Sequence, residues 1–318
     1  MSNTVGVAVY GLGTVGSAAV EIMQAAGNGR LRLRHVVVRD KARKRAIDFD
    51  PALLTDDWCQ PLHDPKVGLV VELMGGVDPA SRVVRRALES GKHVVTANKA
   101  LIATHGASLE ALADAYGVAL RYEAAVGGAI PLIHTLRGTL KGNRITRIRG
   151  ILNGTTNFIL TRMADAGVPF GAALADAQAR GFAEADPTAD VSGMDAAQKL
   201  VILVRHAFGR WVPVECVERK GIAELTADDV RSAREAGEVI KLIAEAVLDG
   251  DSMRLSVAPR RLPASHALAQ VRDEYNAVQI EGDFAGSLTF IGRGAGGHPT
   301  GSAVYDDLVA AARRAKLA

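Results

Sequence analysis

The sequence predicts an α/β protein built from a doubly wound parallel sheet and an α+β part with an open mixed sheet. Over the first 130 residues, short apolar strands alternate with helical segments, which is the pattern of a parallel sheet covered by helices. A glycine-rich stretch near residues 127–128 then breaks the alternation, and strand-like runs with different spacing follow. The length of 318 residues also fits about two domains.

Composition narrows the function classes. Aromatic residues make up 4% of the chain, whereas glycine occurs 33 times, which favours an α/β enzyme over a protein that stacks nucleic-acid bases. A net charge of +3 does not call for a polyanionic partner. Cys59 and Cys216 form neither a disulfide framework nor a metal-binding spacing. Because no signal peptide or membrane-spanning run is apparent, we expect a cytoplasmic protein with a small-molecule substrate and no nucleic-acid or membrane partner.

A dinucleotide-binding fingerprint follows the first strand. Val5–Tyr10 reads as that strand, the glycines of G-L-G-T-V-G come directly after it, and residues 14–26 read as a helix ended by Gly27. In this fingerprint the first glycine permits a tight turn, the second lets the backbone approach a pyrophosphate, and the third lets helix and strand pack closely. The alternative is a tight turn alone. The strand–glycine–helix context instead predicts a Rossmann-type cofactor site at Gly11, Gly13, Thr14, Val15 and Gly16.

The end of the second strand bears on the choice of cofactor. This strand, 33–38, runs into Arg39 and Asp40. An acid at this point suits the ribose 2′-hydroxyl of NAD, whereas an arginine suits the 2′-phosphate of NADP. Arg39 therefore favours NADP, and four more basic residues follow it, Lys41, Arg43, Lys44 and Arg45. A solvated basic turn is the alternative, and Asp40 leaves NAD possible.

The rest of the parallel sheet follows in order. Strands are predicted at 67–74, 93–96 and 118–123, and helices at 79–90 and 106–116. Ligands of such sheets bind beyond the carboxyl ends of the strands, where Thr96 and Lys99 lie. Both are therefore candidate site residues, although a lysine after a strand is often only solvated.

Beyond the glycine-rich crossing at 123–131, the pattern changes to a mixed one. Strands are predicted at 144–152, 239–248, 253–257, 277–280 and 287–291, and helices at 154–166 and 170–179. A second glycine-rich turn at 292–299 precedes a last helix from about Ser302 to Lys316. This order predicts an α+β domain with an open sheet.

The stretch 181–199 carries the densest chemistry. Ser192 is a candidate N-cap, and Asp195 three residues later completes a capping-box pattern. Asp195 and Lys199 then lie one helical turn apart on the same face. Such a pair can orient a polar substrate and move a proton. The alternative is a solvated surface pair, with the acid explained by helix capping alone.

Taken together, these motifs resemble the homoserine dehydrogenase family in the family's order along nearly the whole chain. The matching segments are G-L-G-T-V-G, T-A-N-K-A, Y-E-A-A-V-G-G-A-I-P, N-G-T-T-N-F-I, G-F-A-E-A-D-P-T-A-D-V-S-G-M-D-A-A-Q-K and G-A-G-G-H-P-T-G-S-A-V. The resemblance implies reversible interconversion of L-homoserine and L-aspartate 4-semialdehyde with a nicotinamide cofactor. It also implies a dinucleotide-binding domain at 1–130 completed by 292–318, and a substrate and dimerisation domain at 131–291, so a homodimer is expected.

The resemblance also assigns roles to residues. Lys99 and Lys199 correspond to the family's catalytic lysines, and Thr155, Glu184 and Asp195 to its substrate-binding groups. Gly296, in the last motif, joins Arg39, Thr96, Lys99 and the first glycine motif as an expected cofactor contact. Backbone oxygens of the crossing segment are expected to hold a monovalent cation, typically sodium; the positions are Glu123, Val126, Gly128 and Ile130.

Two other functions stay open at the level of sequence. One is a different amino-acid or semialdehyde dehydrogenase of the same build, and the other is a non-enzymatic NADP-binding sensor. Many family members continue into a C-terminal regulatory domain, whereas this sequence stops at Ala318 and reads as a short form. At most weak inhibition by threonine, competitive with homoserine, is therefore expected.

Overall fold

The computed structural model describes residues 4–27, 29–43, 45 and 47–315. Lys44 and Lys316, which were named above, lie outside these residues. The chain divides into two compact units, one of residues 1–129 with 295–318 and one of residues 130–294.

The first unit contains a six-stranded sheet. Its strands are β1 Val5–Tyr10, β2 Leu31–Val37, β3 Leu54–Thr55, β4 Val67–Glu72, β5 His93–Thr96 and β6 Leu120–Arg121. They lie in the order β3-β2-β1-β4-β5-β6, and every neighbouring pair is parallel. This is the strand order of a dinucleotide-binding doubly wound sheet, so the predicted fold class is confirmed.

Helices cover this sheet: α1 Thr14–Ala25, α2 Gln60–His63, α3 Asp78–Glu89, α4 Lys99–Ala115 and, from the end of the chain, α11 Gly297–Ala315. Valines of β1 and β4 form the core with Val304 and Leu308 of α11. Helix α11 packs closely on α1, because a Cβ added at Gly301 would lie 3.1 Å from Ala18.

Three predicted boundaries in this unit were wrong. Helix α4 begins at Lys99 rather than at Gly106, because the Asn98 side chain accepts a hydrogen bond from the Leu101 N–H and caps it. Helix α11 begins at Gly297 rather than near Ser302. The strand expected at 118–123 is only β6, and a 3-10 turn at Glu123–Ala125 replaces its end.

The second unit contains a mixed sheet, as predicted, with six strands where the sequence indicated five. Its strands are β7 Ile145–Ile151, β8 Glu218–Arg219, β9 Glu238–Asp249, β10 Ser252–Pro263, β11 Tyr275–Gly282 and β12 Gly286–Arg293. They lie in the order β12-β11-β7-β9-β10-β8, with antiparallel pairs throughout except for the parallel pair of β10 and β8. The helices are α5 Leu132–Arg137, α6 Gly154–Ala166, α7 Phe170–Ala179, α8 Thr188–Val191, α9 Met194–Phe208 and α10 Ala227–Glu235.

The start of α9 corrects the expected capping box. Gly193, not Ser192, is the N-cap residue, and no side chain caps this helix. Ser192 instead ends the short helix α8. Gly193 has a φ of 81°, and a Cβ there would lie 2.9 Å from Val257 Cγ1, so the sharp turn between the two helices requires glycine.

None of the helices in the described part of the chain is long and apolar enough to cross a membrane.

Candidate active site

The glycine fingerprint of the first unit has the geometry that a pyrophosphate needs. Gly11 has a φ of 96°, and a Cβ on it would lie 2.6 Å from the Leu73 carbonyl oxygen. A Cβ at Gly16 would lie 2.2 Å from the Gly11 carbonyl oxygen, so turn and helix pack without a side chain between them. Gly13, in contrast, has nothing within 4 Å of an added Cβ. The turn is therefore tight at its first and third glycines and open at its second, as dinucleotide binding requires.

The N-terminus of α1 lies directly after this open position. Gly13 is its N-cap, and no side-chain hydrogen bond caps the helix. The amide groups of Thr14, Val15 and Gly16 belong to the first turn, where backbone N–H groups and the helix dipole attract anions. At the other end of the chain, Gly296 has a φ of 118° and leads into α11.

The basic turn after β2 leaves Arg39 available to a ligand. Arg39 is exposed and makes no ion pair with any described residue. Lys41 pairs with Asp56 at 3.0 Å, and Arg45 donates to the carbonyl oxygens of Asp40, Lys41 and Arg43. The Asp40 carboxylate accepts the Ala42 N–H at 2.8 Å. Asp40 thus closes the turn, whereas the guanidinium of Arg39 faces solvent.

Thr96 and Lys99 both lie at the carboxyl edge of the sheet. The Thr96 side chain is fully buried, and its hydroxyl donates to Glu72 Oε2 at 2.7 Å. That hydroxyl also accepts the Asn98 N–H at 3.0 Å, so it is fully engaged within the protein. Lys99 is half-buried and is the first residue of α4.

A buried polar cluster in the second unit joins the starts of α6 and α9. Lys199 Nζ donates to Asp195 Oδ2 at 2.7 Å and to the Leu152 carbonyl oxygen at 2.8 Å. Asn153 Nδ2 donates to the same Asp195 oxygen at 2.9 Å and to Asp190 Oδ1 at 2.7 Å. The side chains of Lys199 and Asp195 are only 10% and 8% exposed. The predicted i,i+4 pair is therefore present, and it is not a solvated surface pair.

The cluster has an excess of negative charge. Two carboxylates, Asp190 and Asp195, face one ammonium group, Lys199. Burial and then the neighbouring Asp195 carboxylate raise the pKa of Asp190, with the Asn153 hydrogen bond opposing that rise. An added cation would relieve the repulsion, so the cluster suits a ligand that carries an ammonium group. Of the three protons on Lys199 Nζ, two have acceptors among the described residues, which leaves one to donate to a ligand.

Two residues that were predicted to bind the substrate, Thr155 and Glu184, are not members of this cluster. Thr155, the second residue of α6, donates its hydroxyl to the Phe182 carbonyl oxygen at 2.6 Å and lies near the Asp190 carboxylate, so it borders the cluster. Glu184 lies on the exposed loop 181–187, and its side chain makes no hydrogen bond or ion pair with the described residues. The structure therefore does not bring Glu184 into the cluster.

The segment expected to hold a cation is buried. Glu123 is 3% exposed, Val126 is 0% exposed and Ile130 is 4% exposed. Gly127 and Gly128 have φ values of 80° and 57°, which turn the backbone sharply. No group of three or more His, Cys, Asp or Glu side chains in the described ranges could hold a metal ion, so a cation here would depend on backbone oxygens.

Three polar residues were not among the predicted site residues. Asn153 and Asp190 belong to the cluster around Lys199, and Glu72 contacts Thr96 at the carboxyl edge of the first sheet. Asn153 carried a usable signal, because an asparagine before a helix is a strong N-cap, and here it caps α6 through the Thr156 N–H. Its second role, holding two carboxylates, depends on contacts 37 and 42 residues away. No local pattern could indicate those contacts.

Fold and site together define a class of protein: a nicotinamide-dependent oxidoreductase that acts on a small molecule. Residues 131–309 match the sequence model described as homoserine dehydrogenase. Residues 11–123 match the model described as homoserine dehydrogenase, NAD binding domain. The chain belongs to the homoserine dehydrogenase family, and its first unit is an NAD(P)-binding domain.

Named relatives agree with this assignment. The homoserine dehydrogenase of Bacillus subtilis is 42% identical, over 98% of this chain and 73% of its own. A crystal structure of a homoserine dehydrogenase from Thiobacillus denitrificans superimposes with a TM-score of 0.92 at 41% identity, covering 98% of this chain and 73% of that one. A hyperthermophilic archaeal homoserine dehydrogenase mutant, in complex with NADPH, has a TM-score of 0.81 and 29% identity, with 97% of both chains covered.

Proposed function

We propose that this chain oxidises L-homoserine to L-aspartate 4-semialdehyde and catalyses the reverse reduction, with NADP preferred over NAD. The observation that carries the proposal is the cluster of buried Lys199, Asp195 and Asn153 with the half-buried Asp190. It combines a proton donor with an excess of negative charge, which is what an amino alcohol requires.

The substrate ammonium group is held by carboxylates. Asp190 is the main partner, because its charge is the least well compensated in the cluster. Glu184, on the exposed loop, would add a second carboxylate if that loop closes on the substrate. The substrate hydroxyl lies against Lys199 and Asp195, and Thr155 lines the same site.

Lys199 moves the proton. In the reducing direction its ammonium gives one proton to the aldehyde oxygen, and the carbonyl carbon gains a hydride, so the product is an alcohol. In the oxidising direction the neutral amine takes the proton back from the hydroxyl. Asp195 keeps Nζ aimed and stabilises its charged form. A bound nicotinamide cofactor supplies or accepts the hydride at its C4.

The first unit holds the cofactor. Gly11, Gly13 and Gly16, with the amides of Thr14 and Val15, receive the pyrophosphate, and Gly296 and the backbone at Thr96 border it. Arg39 binds the 2′-phosphate, and Lys99 contacts the nicotinamide end as the second of the two proposed catalytic lysines. Binding of NADPH by the archaeal relative supports this preference.

An assay of homoserine oxidation with NADP and with NAD tests the activity, with other amino alcohols and 2-hydroxy acids run in parallel. Reduced cofactor is expected to accumulate with homoserine and to do so more efficiently with NADP. Tight cofactor binding without turnover of any substrate would instead favour the sensor, and faster turnover of another substrate would favour a different dehydrogenase.

The cofactor preference has its own test in Arg39→Ala. Only NADP carries the 2′-phosphate, so KM for NADP should rise roughly tenfold or more while KM for NAD stays nearly unchanged. Arg32→Ala, an exposed arginine on β2, is the matched control. An equal rise for both cofactors would mean that Arg39 is only a solvated turn residue.

A monovalent cation, sodium, is proposed at backbone oxygens of Glu123, Val126, Gly128 and Ile130. Hard cations take oxygen ligands, and the two left-handed glycines let successive carbonyl groups turn. The role is structural. Melting temperature should therefore rise when sodium replaces choline as the cation at constant ionic strength, and an unchanged melting temperature would contradict the site.

A homodimer through the second unit is also proposed. Tyr275 and Ile291 share one face of the sheet and remain 38% and 57% exposed. Ile291→Lys should lower the mass measured by light scattering to that of one chain, whereas Tyr116→Lys, at an exposed aromatic of the first unit, should not. A wild-type chain that is already monomeric would refute the dimer. The cytoplasmic location expected above stays a prediction.

A further inference from the structure

A buried carboxyl group connects the carboxyl ends of β4 and β5. Glu72, the last residue of β4, lies opposite Thr96, the last residue of β5, and its side chain is 0% exposed. Glu72 Oε2 accepts the Thr96 hydroxyl at 2.7 Å, and Oε1 accepts the Met74 N–H at 2.8 Å. The Gly75 N–H and the Asn98 side chain also lie near this carboxyl group and favour its charged form.

These contacts lead directly to Lys99. The Thr96 hydroxyl, which donates to Glu72, accepts the Asn98 N–H at 3.0 Å. Asn98 Oδ1 accepts the Leu101 N–H at 3.1 Å and so caps α4, of which Lys99 is the first residue. The position of the Lys99 backbone is therefore fixed by a capping residue that Glu72 and Thr96 hold.

The same group fixes the loop after β4. Asn98 Nδ2 donates to the Gly76 carbonyl oxygen at 2.6 Å, and Gly75 and Gly76 both have positive φ, at 75° and 73°. Thus Glu72 and Asn98 together connect the loop 73–77 to the start of α4. Both segments follow strands at the edge where the ligands of such sheets bind.

The chemistry of the contacts favours an acid at position 72. The Met74 N–H and the Thr96 hydroxyl donate to different oxygens of the carboxyl group, as only a carboxylate with two acceptor oxygens allows. Burial raises the pKa of Glu72, and the hydrogen bonds from Thr96 and Met74, with Asn98 and Gly75 nearby, oppose that rise. A glutamine of the same size offers one oxygen and would turn an N–H group toward at least one of these donors.

We propose that Glu72 is a positioning residue that sets the place of Lys99 for catalysis by holding Thr96, Asn98 and the Gly75–Gly76 turn. This inference rests on the catalytic role proposed above for Lys99. Glu72 itself is buried beneath the edge and acts only through the residues that it holds.

The same two strands offer a matched control at their other end. Lys92, 6% exposed, donates from Nζ to the Val67 carbonyl oxygen at 2.7 Å and to the Asp64 carbonyl oxygen at 2.9 Å. It therefore connects the amino ends of β4 and β5 through a buried charged group, far along both strands from Lys99. Lys92→Met removes these hydrogen bonds and should lower the melting temperature without changing kcat.

The experiment is a double-mutant cycle with Glu72→Gln and Lys99→Met, with kcat measured for folded enzyme at saturating homoserine and cofactor. A small displacement of a catalytic group costs up to roughly 10²-fold in rate, so Glu72→Gln alone should lower kcat by roughly 10- to 100-fold. In the Lys99→Met background, the same change should lower kcat less than about twofold.

Two results would overturn the inference. One is a fall in melting temperature like that of Lys92→Met with kcat unchanged, which would make Glu72 purely structural. The other is an equal loss of kcat in both backgrounds, which would mean that Glu72 does not act through Lys99. If Lys99→Met itself left kcat intact, the proposed role of Lys99 would fail, and this inference with it, while the proposed reaction would stand. Should Glu72→Gln not fold, Thr96→Val, which removes only the bridging hydroxyl, replaces it in the same cycle.

Discussion

Two lysines of the second unit are buried to similar degrees, but their surroundings differ. Lys199, on α9, donates to a carboxylate and a carbonyl oxygen, and a second carboxylate lies just beyond. Lys241, on β9, is 2% exposed and donates to Asn157 Oδ1 at 2.8 Å and to the Val271 carbonyl oxygen at 2.5 Å. The first lysine has excess negative charge around it, whereas the second has only neutral acceptors in direct contact.

This difference in charge separates the candidate site at Lys199 from a structural contact at Lys241. Burial, followed by the charge of Arg272, lowers the pKa of Lys241 to about 8, and Asp273 and Asp165 only partly oppose this effect. Its neighbour Asn157 donates in turn to the carbonyl oxygens of Val271 and Tyr275, so every contact of Lys241 ends within the protein. Each ammonium group has two acceptors among the described residues for its three protons, so a spare proton does not distinguish the two lysines. Only at Lys199 does surplus negative charge remain for a ligand. Burial of a lysine alone therefore does not identify a catalytic group.

The largest effect is expected at Lys199. Lys199→Ala removes the proposed proton donor, so kcat for homoserine oxidation should fall by roughly 10²- to 10⁴-fold while the Kd of the cofactor changes little. Lys241→Met should leave kcat within about twofold. Stopped-flow rates and fluorescence titration with cofactor measure both quantities. Near-normal turnover by Lys199→Ala would contradict the proposal that Lys199, unlike Lys241, is catalytic.

Lys241 should instead control the pH dependence of stability. Its folded pKa is about 8, against an ordinary value of 10.5, so the unfolded chain binds more protons between these two values. The free energy of unfolding should therefore rise with pH across this window, by on the order of 3 kcal/mol from this group. Below pH 8 the full cost of burying the charge remains.

Urea unfolding of the wild type and of Lys241→Met, from pH 7.5 to 10.5, measures this contribution as a difference between the two proteins. The advantage of the wild type over the variant should grow with pH. A difference that stays constant across the range would show that Lys241 titrates normally in the folded state.

Asp190→Asn tests whether the surplus negative charge around Lys199 is what makes that cluster a substrate site. Losing one charged partner should raise KM for homoserine by roughly 10- to 100-fold, because hydrogen bonds between charged groups contribute about 1.5–3 kcal/mol. KM for the cofactor should not move. Asp186→Asn, at an exposed position of the adjoining loop 181–187, is the control. Equal effects of the two substitutions would remove Asp190 from the substrate site.

The smallest effect is expected from giving Lys241 a charged partner, as Lys199 already has. Asn157→Asp places a carboxylate where an amide oxygen now lies 2.8 Å from Lys241 Nζ. An opposite charge so near should raise the pKa of Lys241 by roughly one unit or more. The rise in stability between pH 8 and 10.5 should then shrink by on the order of 1 kcal/mol. If the same urea series returns the wild-type profile, the neutral partner is not what lowers this pKa.

The sequence alone determined what local pattern can carry. A strand, three spaced glycines and a helix correctly predicted the start of the first unit, where the cofactor site is proposed, and helical periodicity placed Asp195 and Lys199 one turn apart. The mixed sheet of the second unit was likewise predicted, except for the short strand β8. The predicted ends of β7 were one residue too long, and those of the other four strands were one to six residues too short. Where local signals competed, the interpretation failed: Ser192 fitted a capping box, but the tight packing of Gly193 against Val257 moved the start of α9.

Only the tertiary structure decided which polar groups meet. Asn153 reaches Asp195 across 42 residues, and Glu72 reaches Thr96 across 24, through helix packing in one case and strand register in the other. The burial of Asp195 and Lys199 could not be predicted either, because an aspartate followed four residues later by a lysine is the same sequence pattern on an exposed helix and on a buried one. The physical reason is that hydrogen bonding along a helix or turn is set by neighbours in sequence, whereas desolvation and charge balance are set by whatever the folded chain brings alongside.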